Sequence, residues 1–353
     1  MKDEVLQWFP KTERGSRGGK TVALLDQGTG QYATAGDLHR QASMLMKRYG
    51  LLRVDQRVGR SRRVSFRTQA QRSALLHQIC NDIKTALPGL RALVSLKPGH
   101  VECLVGHWRE RGLAPKTLEV KLSMLRVLGA WVGKPGLVGP TSSYLDARER
   151  QMARAPRVRA WSALGVEPED AVGKLCRNDP DTGWMLWLCL RFGLRLREAM
   201  LLDPRMRSVE HLPVVRGTKG GRTRTIPLTA ADHAMLLSFE RWLDSTGHDR
   251  CIIPAGVTEA TYRAGYYYRL ARQGITQRGL GVTTHGLRHE YAQRLVADLE
   301  KEMGGGFGVK EAYGQCMPRM PDSVALEVSS RLGHARPAIT YQYMGRPIGQ
   351  MIG

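Results

Sequence analysis

Two arginine-rich runs divide this chain and limit how it can fold. Leu51 to Leu75 holds seven arginines (Arg53, Arg57, Arg60, Arg62, Arg63, Arg67 and Arg72) against one acid, Asp55. Leu145 to Ala160 holds five more (Arg148, Arg150, Arg154, Arg157 and Arg159) against Asp146 and Glu149. Such runs read as solvated faces or as phosphate contacts, which position a protein on nucleic acid without reading its sequence. The apolar patterning between and after them is helical. With 353 residues the chain is long enough for two or three domains, each with its own core.

The charge balance narrows the class of partner. Lys and Arg number 54 against 32 acids, a net charge of +22, with an ordinary hydrophobic content of 42%. An excess on this scale points to a polyanion, with nucleic acid foremost and a merely basic or ribosome-associated protein as the alternative. The six cysteines (Cys80, Cys103, Cys176, Cys189, Cys251 and Cys316) include no C-x-x-C pair. They read as reduced thiols without a zinc site. No stretch approaches the roughly 18 uninterrupted apolar residues of a membrane span, and no apolar signal core opens the chain. The expectation is a soluble, cytoplasmic protein with no membrane partner.

Residues 1–55 form an N-terminal extension. In it, TVALLDQGTGQYATAGD reads as two short strands around a Gly-Thr-Gly turn, followed by a helix over about Leu38–Tyr49. An accessory DNA-binding role and a plain structural extension both fit it. Residues 56–145 form a helical domain. LLHQICNDI and VECLVGHWRER have helical spacing, and Pro115 opens a helix striped by Leu118, Leu122, Leu125 and Trp131. Gly133 and Pro135 then stop that helix. A basic linker spans 146–160. From 161 to 353 the pattern predicts longer helices and one hairpin, with VEHLPVVRG and RTRTIPL joined across TKGG and helices near 229–245, 258–272 and 286–300.

Six residues in this last part, in fixed order, suit one phosphodiester: Arg195, Lys219, His285, Arg288, His334 and, nine places later, Tyr343. They sit in the phrases GLRLREAMLL, TKGGRTRTIPL, THGLRHEYA and RLGHARPAITYQY. Cutting DNA without metal or water needs a nucleophile, charge stabilisation at the pentacoordinate phosphorus and a proton for the leaving oxygen. Tyr343 supplies the phenol, with Tyr341 as its local rival on a different helical face. Arg195 and Arg288 are planar forks matched to the two non-bridging oxygens. His285 and Arg288 share a helix face one turn apart, with Thr284 able to cap that helix. Lys219 sits at the hairpin tip, where its stem can reach a minor groove or a leaving oxygen, while Arg222 and Arg224 lie along the strand. Each phrase alone is weak, and their order is the signal.

Together these phrases resemble the tyrosine recombinases, also called the phage-integrase family, over roughly residues 70–345. The resemblance implies a mainly α fold with a small antiparallel sheet: a helical core-binding domain followed by a catalytic domain whose sheet carries Lys219. It implies a 3′-phosphotyrosine intermediate formed by Tyr343, Lys219 as general acid, and a hydrogen bond from His334 to the scissile phosphate. No cofactor or metal is implied. The implied partners are double-stranded DNA and further copies of the chain, as a dimer to tetramer on paired sites, in a bacterial or phage setting near the nucleoid. An integrase of a mobile element is the expected role. Candidate DNA contacts are Arg57, Arg60, Arg62, Arg63, Lys116, Lys121, Arg148, Arg150, Arg154, Arg157 and Arg222.

Two features depart from the family pattern. Arg288 and His334 stand 46 apart, about twice the usual interval, and the excess falls in a Gly-rich insertion at 299–322, read as a flexible loop. Ten residues follow Tyr343, fewer than the C-terminal helix that many relatives exchange. The competing readings are a non-cleaving DNA-binding regulator of the same fold, and a type IB topoisomerase or hairpin-end resolvase using similar residues.

Overall fold

The computed structural model describes residues 22–26, 31–34, 37–51, 64–154, 158–312, 315–334, 336–344 and 346–347. They divide into two units, at 1–154 and 155–353.

In the first unit, β1 (Val22–Asp26) and β2 (Gln31–Thr34) pair antiparallel and lead into α1 (Leu38–Tyr49). Asp37 starts α1 by accepting from the Arg40 backbone N–H. Then follow α2 (Phe66–Ala86), α3 (Pro98–Glu110), α4 (Pro115–Trp131) and α5 (Ala147–Arg154). Pro115 occupies the first turn of α4, where its missing N–H costs no hydrogen bond. Leu118, Leu122, Leu125, Leu128 and Trp131 of α4 are buried against α2 and α3.

Two expected boundaries move. Leu38, Ala42, Leu45 and Met46 of α1 belong to the same core as α2–α4, so α1 is part of the helical body that was expected to begin only at 56. The segment read as a linker, 146–160, is helical over Ala147–Arg154. There Asp146 and Glu149 cap each other's backbone N–H groups, and Arg109 bonds both Glu149 and the Tyr144 carbonyl at 2.7 Å. Its charge made it look like a tether, but these local bonds and the burial of Ala153 make it an element.

The second unit contains α6 (Pro168–Asn178), α7 (Pro180–Phe192), α8 (Leu196–Met200), the hairpin β3 (His211–Val214) and β4 (Arg224–Pro227), α9 (Ala230–Ser245), α10 (Glu259–Arg272) and α11 (Thr284–Glu302). After these come β5 (Val309–Ala312), β6 (Gln315–Pro318), α12 (Asp322–Arg331), a tight helical turn over Pro337–Tyr343 and β7 (Arg346–Pro347). The hairpin, its tip and the helices after it fall where the sequence put them.

The insertion is more ordered than a loop. Its first residues extend α11, and β5 and β6 then form a hairpin whose second strand pairs with β7. Pairing with a strand distant in sequence leaves no local periodicity to read. Two apolar clusters fill this unit, one among Trp161 and α6–α10, the other among α12 and the end of α11. Helix α11 enters both: Leu287 belongs to the first, Ala292 and Leu295 to the second. The side chains between them, Arg288 to Tyr291, therefore sit at the seam. Among the described residues, no helix is long and apolar enough to cross a membrane.

Candidate active site

Arg288 is the centre of the seam and has no exposed surface. Its Nε donates to the Tyr343 hydroxyl at 3.3 Å, and its Nη2 approaches His334 Nε2 at 3.1 Å. It also donates to the carbonyls of Gly193 and Leu332. Those carbonyls lie at the C-terminal ends of α7 and α12, so the guanidinium closes two helices where their dipoles favour a cation. Gly193 must be glycine. Its φ is +58°, and a Cβ would fall 2.3 Å from the Tyr291 ring.

Glu198, on α8, binds the other cations. Arg224 meets it with both Nη atoms, at 3.0 and 2.8 Å, and Arg195 Nη1 reaches it at 2.7 Å. The Arg195 backbone N–H also donates to it at 2.8 Å, and Arg288 Nη1 lies 3.8 Å away. Burial opposes ionisation of Glu198, but the bonds and charge of Arg224, then Arg195, outweigh it and hold the pKa at about 2. Arg195 keeps 23% of its side chain exposed, so of the two arginines expected as phosphate forks it is the one open to solvent.

Tyr343 is buried at the end of the Pro337–Tyr343 turn. Its hydroxyl lies 3.2 Å from His334 Nε2. Because Arg288 Nη2 can only donate, His334 Nε2 is the acceptor, which puts the ring proton on Nδ1. Burial, with Arg288, Arg195, Arg224 and Lys219 nearby, carries the His334 pKa down to about 3 and keeps the ring neutral. His285 has part of its ring in solvent. Loss of water around the rest, with the charges of Arg288, Arg159 and Arg195, still lowers its pKa to about 4. Tyr341 points elsewhere, its hydroxyl donating to the Met320 carbonyl at 3.2 Å.

Arg195, His285, Arg288, His334 and Tyr343 thus come together. Lys219 stands at the exposed hairpin tip in a turn that Gly220 and Gly221 make possible with φ of +72° and +71°. Its charge is felt at His334, and among the described residues it has no ion pair. The sequence reading did not find Glu198 and Arg224 as a pair. A signal for Arg224 was present, since it alternates with Ile226 on the inward face of β4, and an inward arginine needs an acid. Gln293 was also missed, and His289 was read only as part of the Leu-Arg-His phrase.

The candidate DNA contacts divide. Lys121 is a correction: it is 5% exposed, 2.6 Å from Asp82 and over the Trp108 ring, so it holds the first unit's core together. Lys116 is exposed and paired with Glu119 at 2.9 Å. Arg148 and Arg222 are exposed, and Arg150 is partly exposed with its Nε on the Asp146 carbonyl. Arg57, Arg60, Arg62, Arg63 and Arg157 lie outside the described residues, as does the Arg154 side chain.

Residues 55–138 match the family model described as "Phage integrase, N-terminal". Over 214 residues the chain is 27% identical to tyrosine recombinase XerC of Chromohalobacter salexigens, covering 59% of this chain and 70% of that one. It is 24% identical over 224 residues to XerC of Shewanella amazonensis, covering 60% and 71%. Among solved structures, a lambda integrase dimer on a core site superposes with a TM-score of 0.54 at 13% identity, covering 87% of this chain and 93% of that one. The Tn1549 transposon integrase with circular-intermediate DNA superposes with a TM-score of 0.53 at 14% identity, covering 89% and 96%. Fold and relatives together point to the class of enzymes that break and rejoin DNA strands. The matched family model, the XerC relatives and the shared fold support a tyrosine recombinase of the phage-integrase family.

Proposed function

We propose that the chain is a site-specific DNA integrase of a mobile element, with Tyr343 as nucleophile and Arg195, Lys219, His285, Arg288 and His334 completing its catalytic set. The carrying observation is the contact of the Tyr343 hydroxyl with both Arg288 Nε and His334 Nε2 inside one buried network. Tyr343 Oη attacks the scissile phosphorus in line, forming a 3′-phosphotyrosyl ester as the bond to the 5′ oxygen breaks. His334 Nε2 is the acceptor nearest the phenol proton. Arg195 and Arg288 neutralise the non-bridging oxygens where charge builds, and His285 lines the same face. Lys219, free on its hairpin, delivers a proton to the leaving 5′ oxygen. No bond energy is lost to water, so a 5′ hydroxyl from a second strand reverses the step.

Strand exchange needs two sites and more than one protomer. A dimer to tetramer on paired DNA is the assembly expected, in keeping with lambda integrase, whose solved forms include a dimer on a core site and a tetramer on a Holliday junction. Arg148, Arg150 and Lys116 are proposed as phosphate contacts of the first unit, and Arg222 as one beside Lys219.

The deciding experiment is a nicked suicide duplex built from the ends of the encoding element, incubated with wild type, Tyr343→Phe and Tyr341→Phe. The expected outcome is a covalent adduct with wild type and Tyr341→Phe and none with Tyr343→Phe. Tight site-specific binding with no adduct would instead make the chain a non-cleaving DNA-binding regulator.

A further inference from the structure

Helix α11 carries a second device beside Arg288. Gln293, 5% exposed, donates from Nε2 to the backbone carbonyl of Tyr343 at 2.9 Å. One turn earlier, the His289 ring lies against the Tyr343 ring with centroids 4.5 Å apart and bonds the Tyr343 backbone. Tyr343 is the last residue of a tight helical turn, whose terminal carbonyls lack donors within the turn. Gln293 supplies a donor there from another helix. Fixing that carbonyl fixes the Tyr343 Cα and hence the direction of the phenol. Gln293 is a neutral amide and carries no charge with which to hold a phosphate.

We propose that Gln293, supported by His289, is a positioning residue that fixes the Tyr343 backbone on α11 so that the phenol is aimed before DNA arrives. This rests on Tyr343 being the nucleophile. A misplacement of about 1 Å costs on the order of 100-fold in rate, so losing this anchor should slow attack without weakening DNA binding.

The test is single-turnover cleavage of the suicide duplex by the full chain, with either the normal 5′ oxygen or a bridging sulfur as leaving group. Sulfur leaves without a proton, so it restores variants that lack the general acid and not those that mis-aim the nucleophile. Gln293→Met keeps the volume and removes the donor, Gln293→Asn pulls the donor back, and Lys219→Ala is the leaving-group control. The expected result for Gln293→Met is a rate lower by about 10- to 100-fold on both substrates with DNA affinity within about twofold of wild type. Gln293→Asn should fall between, and Lys219→Ala should recover on sulfur.

Wild-type rates in Gln293→Met would overturn the proposal. So would recovery on sulfur, which would move Gln293 to the leaving-group side, and so would parallel loss of binding and cleavage in both variants. If wild type itself forms no adduct, both this inference and the nucleophile assignment fall, an outcome distinct from a failure of Gln293 alone.

Discussion

Each unit has a buried carboxylate that gathers more than one cation, Asp82 in the first and Glu198 in the second, and the two clusters serve different ends. In the first unit Asp82 takes Lys121 at 2.6 Å, Arg111 at 2.6 Å and the Trp108 indole N–H at 2.8 Å. Two cations meet one acid there, and one of them, Arg111, has half its side chain in water. In the second, Glu198 gathers Arg195, Arg224 and Arg288, while the three neighbouring histidines are held neutral. Three cations on one acid leave a surplus of positive charge around a buried phenol. A buried ion pair alone does not mark a site. A surplus of buried positive charge beside a phenol does, because it waits for an anion from outside.

The comparison breaks most readily at Glu198. Glu198→Gln leaves Arg224 and Arg288 buried without an acid, and we expect a loss of about 3–5 kcal/mol in urea-induced unfolding of the second unit. A loss below about 1 kcal/mol would mean that the arginines do not depend on the carboxylate. Lys121→Met should cost the first unit about 3 kcal/mol, the lower end for a broken buried pair because Arg111 and Trp108 remain on Asp82. Its DNA affinity and cleavage rate should be unchanged, and a drop in affinity without a drop in stability would return Lys121 to the DNA-binding set.

Acid sharpens the contrast with a smaller effect. The folded pKa of His289, about 3, lies below its unfolded value of 6.5 because of burial and then the charges around it. Its contribution is fully present above pH 6.5 and is lost as pH falls towards 3, at about 1 kcal/mol per pH unit. Glu198 adds a loss between 4.5 and about 2. Asp82, also depressed, responds only below 3.8, and His77, partly buried beside His39, is the first unit's weaker histidine counterpart. Hydrogen exchange between pH 6.5 and 4.5 should therefore deprotect α11 before α4, and equal loss in both would remove the distinction.

Local signals carried most of the fold. The Leu38–Tyr49 helix, the Pro115 start of α4 and the hairpin around Lys219 were all legible because caps, prolines and glycines act over a few residues. The phrases that carry Arg195, His285, Arg288, His334 and Tyr343 were legible for the same reason, each being a short run with a fixed interval, and the fold brings those five side chains together. What stayed hidden depends on distant partners. Lys121 looked like a surface lysine until Asp82, 39 residues away, met it in the core. Glu198 lies 26 residues from Arg224, and Gln293 lies 50 from Tyr343. The 299–322 insertion read as a loop because the strand that pairs with it, β7, comes after Tyr343.

Gly193 gives this network a consequence for how the protein can change over generations. Its carbonyl holds Arg288, and its left-handed backbone and the Tyr291 ring leave no space for a side chain. Drift can exchange many surface residues here with little penalty, but at this position every single-base change that alters the amino acid adds atoms where none fit. A residue with no side chain to offer DNA is therefore as closed to variation as the tyrosine proposed to attack it.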